Sequence, residues 1–148
     1  MTETHFMVDH MLIKLGKYLR ILGLDAAWDS RVRTHALIER ANAEGRVFLT
    51  RNTRIAEQYP LPQKLFALRD TDPAKQLQIV VQEFKLDPRA KLFSKCIRCN
   101  VFLEKVGAKK SIRASVHPNV YARFADFFKC PKCGTVFLSR TRCRTLGI

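Results

Sequence analysis

The stretch HFMVDHMLIKLGKYLRILG, residues 5–23, constrains the fold of this 148-residue chain more than any other segment. Residues 6–8 are apolar and strand-prone, and Asp9 follows them directly, which is typical of a short buried strand with a carboxylate at its tip. The next apolar side chains recur at helical spacing: Met11, Leu12, Leu15, Leu19 and Leu22. This spacing predicts an amphipathic helix that ends at Gly23.

The same alternation of strand and helix continues to about residue 86. A short strand or a loop is predicted within residues 24–30, and further strands are predicted within residues 46–50 and 64–68. A helix capped by Thr34 runs to Glu44 and Gly45, a short one follows Thr53, and another starts at Asp72-Pro73. Alternation of this kind predicts an α/β fold in which a mostly parallel sheet is flanked by helices.

Polar residues stand where the predicted strands end. Asp9 follows the first strand, and the stretch RVFLTRN, residues 46–52, ends in Thr50, Arg51 and Asn52. Asp70 and Asp72 follow the strand near residue 66. Ligands of parallel sheets collect at the carboxyl ends of the strands, so these residues are candidates for an active site. Capping of the following helix is the competing role for Asp9 and Asp72.

Four cysteines form two pairs, CIRC and CPKC, separated by 30 residues. Each pair presents two thiolates on one turn, and two such turns complete a tetrahedral zinc site. The predicted ligands of a structural Zn²⁺ are Cys96, Cys99, Cys130 and Cys133. Two disulfides or free thiols are the alternatives, and Cys143 is interpreted as a spare thiol.

Positive charge is concentrated in the C-terminal part of the chain, whose net charge is +14. Residues 1–90 hold 14 Lys and Arg against 11 Asp and Glu, whereas residues 91–148 hold 13 against 2. This excess predicts binding to RNA, with general solubility or a membrane surface as alternatives. The predicted phosphate contacts are Arg51, Lys109, Lys110, Arg113, Lys129, Lys132, Arg140, Arg142 and Arg144.

The shift in charge and the cysteine pairs together suggest two domains. We place the boundary at residue 90, with 1–90 as the α/β domain, 91–148 as the basic zinc-binding domain and 85–91 as the linker. No apolar run reaches the 18 or so residues that span a bilayer, and the N-terminus has no cationic and apolar leader. We therefore expect a cytoplasmic protein with no membrane partner.

Several segments occur in an order that resembles the Mut-seven C-terminal RNase family. They are the strand ending in Asp9, MLIKLGKYLRILG, EGRVFLTRN, DTDPAKQL, CIRCN and VHPNVYARFADFFKCPKCG. The resemblance implies a PIN-like nuclease domain followed by a zinc ribbon. It also implies RNA cleavage that depends on Mg²⁺ or Mn²⁺, with Asp9, Asp72 and neighbouring Asp70 as acidic site residues.

The chain departs from the family pattern at three places. Asn52 stands where the family has an acidic residue after Thr-Arg, and Arg33-Thr34-His35 replace the acidic cluster that opens the second helix. Near the C-terminus, residues 140–142 replace part of an aromatic and Gly-Ser-His motif. Asn52 can still offer a carbonyl oxygen, but a cation such as Arg33 would repel a metal ion. Asp25 or Asp29 is a possible substitute for the lost acids.

Two functions are predicted. The first, implied by the resemblance, is a metal-dependent ribonuclease that uses Asp9, Asn52, Asp70 and Asp72. The second is a catalytically inactive protein on the same fold that binds RNA, with tRNA, rRNA or the ribosome as candidate partners. A toxin-like module held by a partner protein is a third class, and the sequence leaves the oligomeric state open.

Overall fold

A computed structural model describes residues 4–58, 61–124 and 126–138. The strands are β1 (His5–Val8), β2 (Asp25–Ala27), β3 (Val47–Thr50), β4 (Leu65–Ala67), β5 (Glu104–Lys105), β6 (Phe127–Lys129) and β7 (Val136–Leu138). The α-helices are α1 (Ile13–Ile21), α2 (Thr34–Glu44), α3 (Ile55–Gln58), α4 (Pro73–Glu83) and α5 (Pro118–Arg123). Two 3-10 helices cover His10–Leu12 and Lys109–Ser115.

The first four strands form a parallel sheet in the order β2-β1-β3-β4. Phe6 pairs with Val47 across β1 and β3, and Phe48 pairs with Leu65 across β3 and β4. The chain leaves β1 towards β2 on one side and returns to β3 on the other. The carboxyl ends of β1 and β3 therefore form the point where the strand order reverses, at which α/β sheets bind ligands.

Alternate residues of the strands supply two cores, one on each face of the sheet. Phe6, Val8 and Leu49 pack with residues of α1 and α4 on one face. Met7 and Phe48 lie on the other face against apolar residues of α2 and the start of α3. All five of these side chains are buried, as expected for a parallel sheet covered by helices on both sides. The predicted α/β class is confirmed.

The ends of α2 and α4 show how the local sequence sets helix boundaries. Gly45 ends α2 at φ 66°, a left-handed conformation that glycine adopts without a steric penalty. Asp72 caps α4 by accepting a hydrogen bond from the Ala74 amide, and Pro73 occupies the first turn. The predicted cap at Thr34 is wrong. Arg33 occupies that position, its side chain makes no capping bond, and Thr34 is the first helical residue.

Residues 91–138, here called the cysteine module, contain an antiparallel sheet in the order β5-β6-β7. The module begins against the α/β part, because Phe93 donates its amide to Ile21 O at 2.7 Å and packs on the first core. Gly23, at φ 81°, lies so close to Lys91 that a Cβ would clash with its backbone. The division into two domains at residue 90 stays a prediction. The first core includes Phe93 and so continues past that position.

Candidate functional site

Asp9 lies at the carboxyl end of β1 and is buried. Its Oδ1 accepts a hydrogen bond from the His10 amide at 2.8 Å, and its Oδ2 accepts one from Thr50 Oγ1 at 2.8 Å. Asp9 therefore caps the 3-10 helix that follows and joins the tips of β1 and β3. Within the described ranges it is the one acidic residue that is buried.

The tip of β3 lies beside Asp9. The Asn52 amide donates to Thr50 Oγ1 at 3.0 Å, and Asn52 Oδ1 accepts from the Arg54 amide at 3.0 Å. Arg51 follows the strand, and its Nε is buried with no hydrogen-bond partner among the described residues. A buried, unsatisfied donor is rare in proteins. The Arg51 guanidinium lies where the strand order reverses, and there it fits an anionic ligand better than a cation.

Asp70 and Asp72 lie farther along the same edge. β4 is two strands away from β1, and with a strand spacing of about 4.8 Å the two tips are roughly 10 Å apart. Asp72 is exposed and caps α4, and Asp70 Oδ1 accepts from the Asp72 amide at 2.9 Å. Both carboxylates thus take part in the turn that starts α4, and their assignment as catalytic residues stays a prediction.

A catalytic Mg²⁺ or Mn²⁺ finds few ligands at this edge. Apart from the cysteines, the described residues contain no group of three or more His, Cys, Asp or Glu side chains close enough to hold a metal. Asp9 offers one carboxylate and Asn52 one amide beside it. A two-metal nuclease site gathers several carboxylates around ions about 4 Å apart. The residues present therefore do not fit such a pair of ions.

An open cleft of about 750 Å³ lies at the carboxyl edge, between the start of the 3-10 helix and the start of α2. We call it the strand-edge cleft, and it is lined by His10, Ile13, Ser30, Val32, Arg33, Thr34 and His35. Two imidazoles, a guanidinium and two hydroxyls dominate its polar lining, and no carboxylate is among the lining residues. This composition suits a phosphate group.

The two histidines of the cleft are held by defined partners. His10 Nε2 lies 2.8 Å from the Val32 carbonyl oxygen, and His10 Nδ1 lies 3.7 Å from Asp9 Oδ1. His35 Nε2 lies 2.8 Å from Glu39 Oε1, one turn along α2. Because a carbonyl and a carboxylate accept hydrogen bonds, Nε2 carries the hydrogen in both rings. No short sequence motif indicates that His10 and His35 line the same cleft.

Asp25 does not replace the missing acids. It begins β2 and therefore lies at the amino edge of the sheet, where it pairs with His5 across the ladder. Arg46 Nη1 donates to it at 2.8 Å and Asn100 Nδ2 at 2.6 Å. Burial works against ionisation, but these hydrogen bonds outweigh it and lower the pKa of Asp25 to about 2.

Asp29 lies at the carboxyl edge but is engaged locally. Its Oδ1 accepts from the Arg31 amide at 3.0 Å and lies 3.5 Å from the Arg31 guanidinium. The backbone hydrogen bond in particular lowers the pKa of Asp29. Asp29 is not among the residues that line the strand-edge cleft.

The four predicted cysteine ligands come together in the cysteine module. Their Sγ atoms all lie within 4.8 Å of one another, and Cys96 Sγ is 3.7 Å from Cys133 Sγ. With Zn–S bonds of about 2.3 Å, a tetrahedral site requires sulfurs about 3.8 Å apart. The donor set and its spacing therefore fit a structural zinc ion, and all four cysteines are free thiols.

Hydrogen bonds around the thiols also suit metal ligation. The amides of Lys132 and Cys133 donate to Cys130 Sγ at 3.3 and 3.4 Å. Hydrogen bonds from Thr135 lower the pKa of the Cys133 thiol to about 6, whereas desolvation among the other thiols raises that of Cys99 to about 12. A divalent cation would replace the remaining protons, because thiolates are the binding form.

Two residues that the sequence did not single out attach the first cysteine pair to the sheet. Arg20 is buried, donates through Nε to Ala26 O at 2.7 Å and through Nη1 to Ile97 O at 2.6 Å. Asn100, which follows the pair directly, holds Asp25 and also accepts from the Ala26 amide. Burial lowers the pKa of Arg20 to about 10, so the side chain stays charged at neutral pH.

The predicted phosphate contacts of the cysteine module that the structure describes lie on a 3-10 helix, on β6 and between two cysteine ligands. Lys109, Lys110 and Arg113 belong to one 3-10 helix, and Lys109 Nζ lies 4.4 Å from the ring centroid of Tyr121. Lys132 is exposed between the last two cysteine ligands. The remaining contacts predicted there include Lys129, which is exposed on β6, and Arg140, Arg142 and Arg144, which lie outside the described residues, as does Cys143.

In the described ranges, no helix is both long and apolar enough to cross a membrane.

Comparison with known proteins identifies the family. No curated protein matches the chain significantly. The family model of the Mut7-C RNAse domain matches residues 4–146, nearly the whole chain, which indicates an RNA-acting, nuclease-like protein. The chain therefore belongs to the Mut7-C RNase domain family.

Proposed function

We propose that this chain binds RNA and that the strand-edge cleft receives a phosphate of the RNA backbone. The observation that carries the proposal is the lining of the cleft, where Arg33, His35 and His10 stand without a carboxylate among the lining residues. No described residue forms an ion pair with Arg33. Its guanidinium is therefore available for a phosphate oxygen.

Neighbouring groups support an anionic ligand at this edge. The first turn of α2 opens into the cleft, and its amides receive no side-chain cap from Arg33. The unsatisfied Nε of Arg51 lies at the next strand tip, beside the reversal of strand order. Each of these donors matches the charge of RNA and disfavours a bare divalent cation.

The cysteine module would supply a second set of backbone contacts. Its sequence, residues 91–138, holds ten Lys and Arg against two Asp and Glu. Lys110, Arg113 and Lys132 are exposed there, and surface cations of this density bind polyanions without reading sequence. The module thus contributes affinity, while the cleft places one phosphate at a fixed point.

A matched pair of arginine variants tests the role of the cleft. Arg33→Ala should weaken RNA binding about 5- to 10-fold and lower the slope of log affinity against log salt by about one, because one phosphate contact is lost. Fluorescence anisotropy with a labelled single-stranded RNA, over a series of salt concentrations, measures both quantities.

Arg31→Ala is the control for charge alone. Arg31 is two residues away, is exposed and pairs with Asp29 outside the cleft. It should change the affinity less than 2-fold. Equal losses for the two variants would show that general charge, and not the cleft, binds the RNA. Absence of RNA binding in the unmodified protein would refute the proposal altogether.

Metal-dependent cleavage is the second candidate function, favoured by the buried Asp9 at the reversal point. Asn52→Asp restores an acid beside it, and the new carboxylate can accept the Arg54 amide as Asn52 does. If the nuclease framework is intact, this variant should cleave RNA with added Mn²⁺ more than the unmodified protein does. Asn119→Asp, on α5, adds the same charge elsewhere and should have no effect.

A further inference from the structure

We propose that the strand-edge cleft also cleaves RNA without a divalent metal ion, using His35 and His10 as a proton-transfer pair. The inference rests on the proposed function, since the cleft must first receive the phosphate. RNA carries its own nucleophile, the 2′-hydroxyl. Cleavage then requires a base, an acid and a cation near one phosphate, and the cleft lining contains all three.

The reaction is an internal transfer of the phosphodiester. The 2′-oxygen forms a bond to phosphorus while the bond from phosphorus to the 5′-oxygen of the next nucleotide breaks. The proton of the 2′-hydroxyl goes to one imidazole, and the other imidazole gives a proton to the departing 5′-oxygen. The products are a 2′,3′-cyclic phosphate and a 5′-hydroxyl, so no water, metal ion or redox partner is consumed.

His35 is placed to act as the base. Its Nε2 donates to Glu39 Oε1 at 2.8 Å, which leaves Nδ1 as the nitrogen with a free lone pair. A carboxylate that holds one ring nitrogen orients the imidazole and stabilises the cation that forms when the other nitrogen takes a proton. Both side chains are exposed, so the substrate can reach the ring.

His10 is placed to act as the acid. Its Nε2 donates to the Val32 carbonyl at 2.8 Å, which fixes the ring within the lining of the cleft. Its Nδ1 lies 3.7 Å from Asp9 Oδ1, too far for a hydrogen bond. Nδ1 is therefore the nitrogen that gives its proton to the 5′-oxygen, with the buried carboxylate as a nearby counter-ion. Asp9 acts here as a positioning residue for His10.

Arg33 supplies the positive charge for the phosphate. It lines the cleft next to His35 on the chain, and its guanidinium has no ion-pair partner among the described residues. Phosphoryl transfer gathers negative charge on the non-bridging oxygens, and a guanidinium stabilises that charge through paired hydrogen bonds. The side chains of the cleft therefore take the role that metal ions are expected to have in family members with an acidic site.

A substrate with one reactive nucleotide tests the mechanism. A 2′-O-methyl RNA oligonucleotide with a single ribonucleotide is incubated with the full-length, zinc-loaded protein in buffer without other divalent ions. Cleavage is expected only on the 3′ side of the ribonucleotide, with a 2′,3′-cyclic phosphate detected by mass spectrometry. The fully 2′-O-methyl strand should be bound and left intact.

Variants separate this activity from a contaminating nuclease. His35→Gln and His10→Gln should each lower the cleavage rate at saturating RNA concentration at least about 100-fold. His117→Gln, in the cysteine module and purified in parallel, should cleave as the unmodified protein does. Thermal unfolding of each variant verifies the fold.

The outcomes distinguish the two proposals. Binding of the RNA without cleavage at the ribonucleotide overturns this inference and leaves the proposed function standing. Cleavage that both histidine variants retain, or cleavage that requires Mn²⁺ and yields 5′-phosphate ends, also overturns it. If the RNA does not bind at all, both proposals fail.

Discussion

The two edges of the parallel sheet carry opposite kinds of polar chemistry. At the amino edge, Asp25 is surrounded by Arg46, His5 and Asn100, and Arg46 also contacts Glu44 at 3.0 Å. At the carboxyl edge, the guanidinium of Arg33 has no such partner within the described chain. The first edge is satisfied internally, whereas the second has donors left for a ligand. Charged groups at one edge thus hold the fold together, and those at the other are available for binding.

Removal of zinc should have the largest effect and should act on the amino edge. A structural zinc site contributes about 10 kcal/mol or more to the folding of small modules at neutral pH, so a chelator should lower the melting temperature by more than about 10 °C. Asn100 follows the first cysteine pair and holds Asp25, so loss of the metal should loosen β2 as well.

Hydrogen exchange measures this effect edge by edge. The Ala26 amide, which donates to Asn100, should lose protection when zinc is removed. The Asp9 amide, which donates to Leu49 O at 3.0 Å on the carboxyl side, should keep most of it. Equal loss at both amides would mean that the two edges unfold as one unit, and readdition of Zn²⁺ should restore protection.

Asp25→Asn should have the next largest effect. It removes the charge that faces Arg46, whose side chain is only 11% exposed, and leaves that cation without its main partner. Loss of one member of a fully buried ion pair costs about 3–5 kcal/mol. Because this pair is partly exposed, we expect the free energy of unfolding in urea to fall by about 2–3 kcal/mol. Glu44→Gln, at the outer end of the same network, should cost only about 0.5 kcal/mol. A loss as small as that for Asp25→Asn would contradict the structural role of this edge.

Lowering the pH should also destabilise the amino edge. The pKa of Asp25 is about 2 in the folded protein against an ordinary value of 3.8, so the unfolded chain takes up the proton first as the pH falls. The stabilisation is complete above about pH 4 and declines between pH 4 and pH 2. Allowing for solvent screening, about 1 kcal/mol is lost in this window. The difference in stability between the unmodified protein and Asp25→Asn should therefore narrow there; a constant difference would argue against the ion pair.

Asp9→Asn should have the smallest effect on stability, about 0.5 kcal/mol, although Asp9 is more buried than Asp25. An amide oxygen can still accept from His10 N, and its NH₂ group can donate to the Thr50 hydroxyl. Urea unfolding at neutral pH makes the comparison. A loss as large as that for Asp25→Asn would show that the carboxyl edge is also needed for folding.

Individual positions show which structural features a short stretch of sequence can predict. The cap at Asp72 and the end of α2 at Gly45 agree with the structure, because a cap involves residues within one turn. The predicted cap at Thr34 failed by one residue because that helix starts without a side-chain cap. Asp25 was considered for the carboxyl edge although it lies at the opposite one. Its position depends on where β2 begins, and three residues of strand give little periodicity.

The sequence by itself determined the α/β alternation, the cysteine ligand set and the excess of positive charge, since spacing and composition express these directly. Only the tertiary structure decided which polar residues meet. The order β2-β1-β3-β4 brings Asp9 to Thr50, 41 residues away, and the fold places His10 and His35 in one cleft. Packing of the cysteine module on the sheet brings Asn100 onto Asp25, 75 residues away. Strand order arises from packing on both faces of the sheet, which no short stretch of sequence contains.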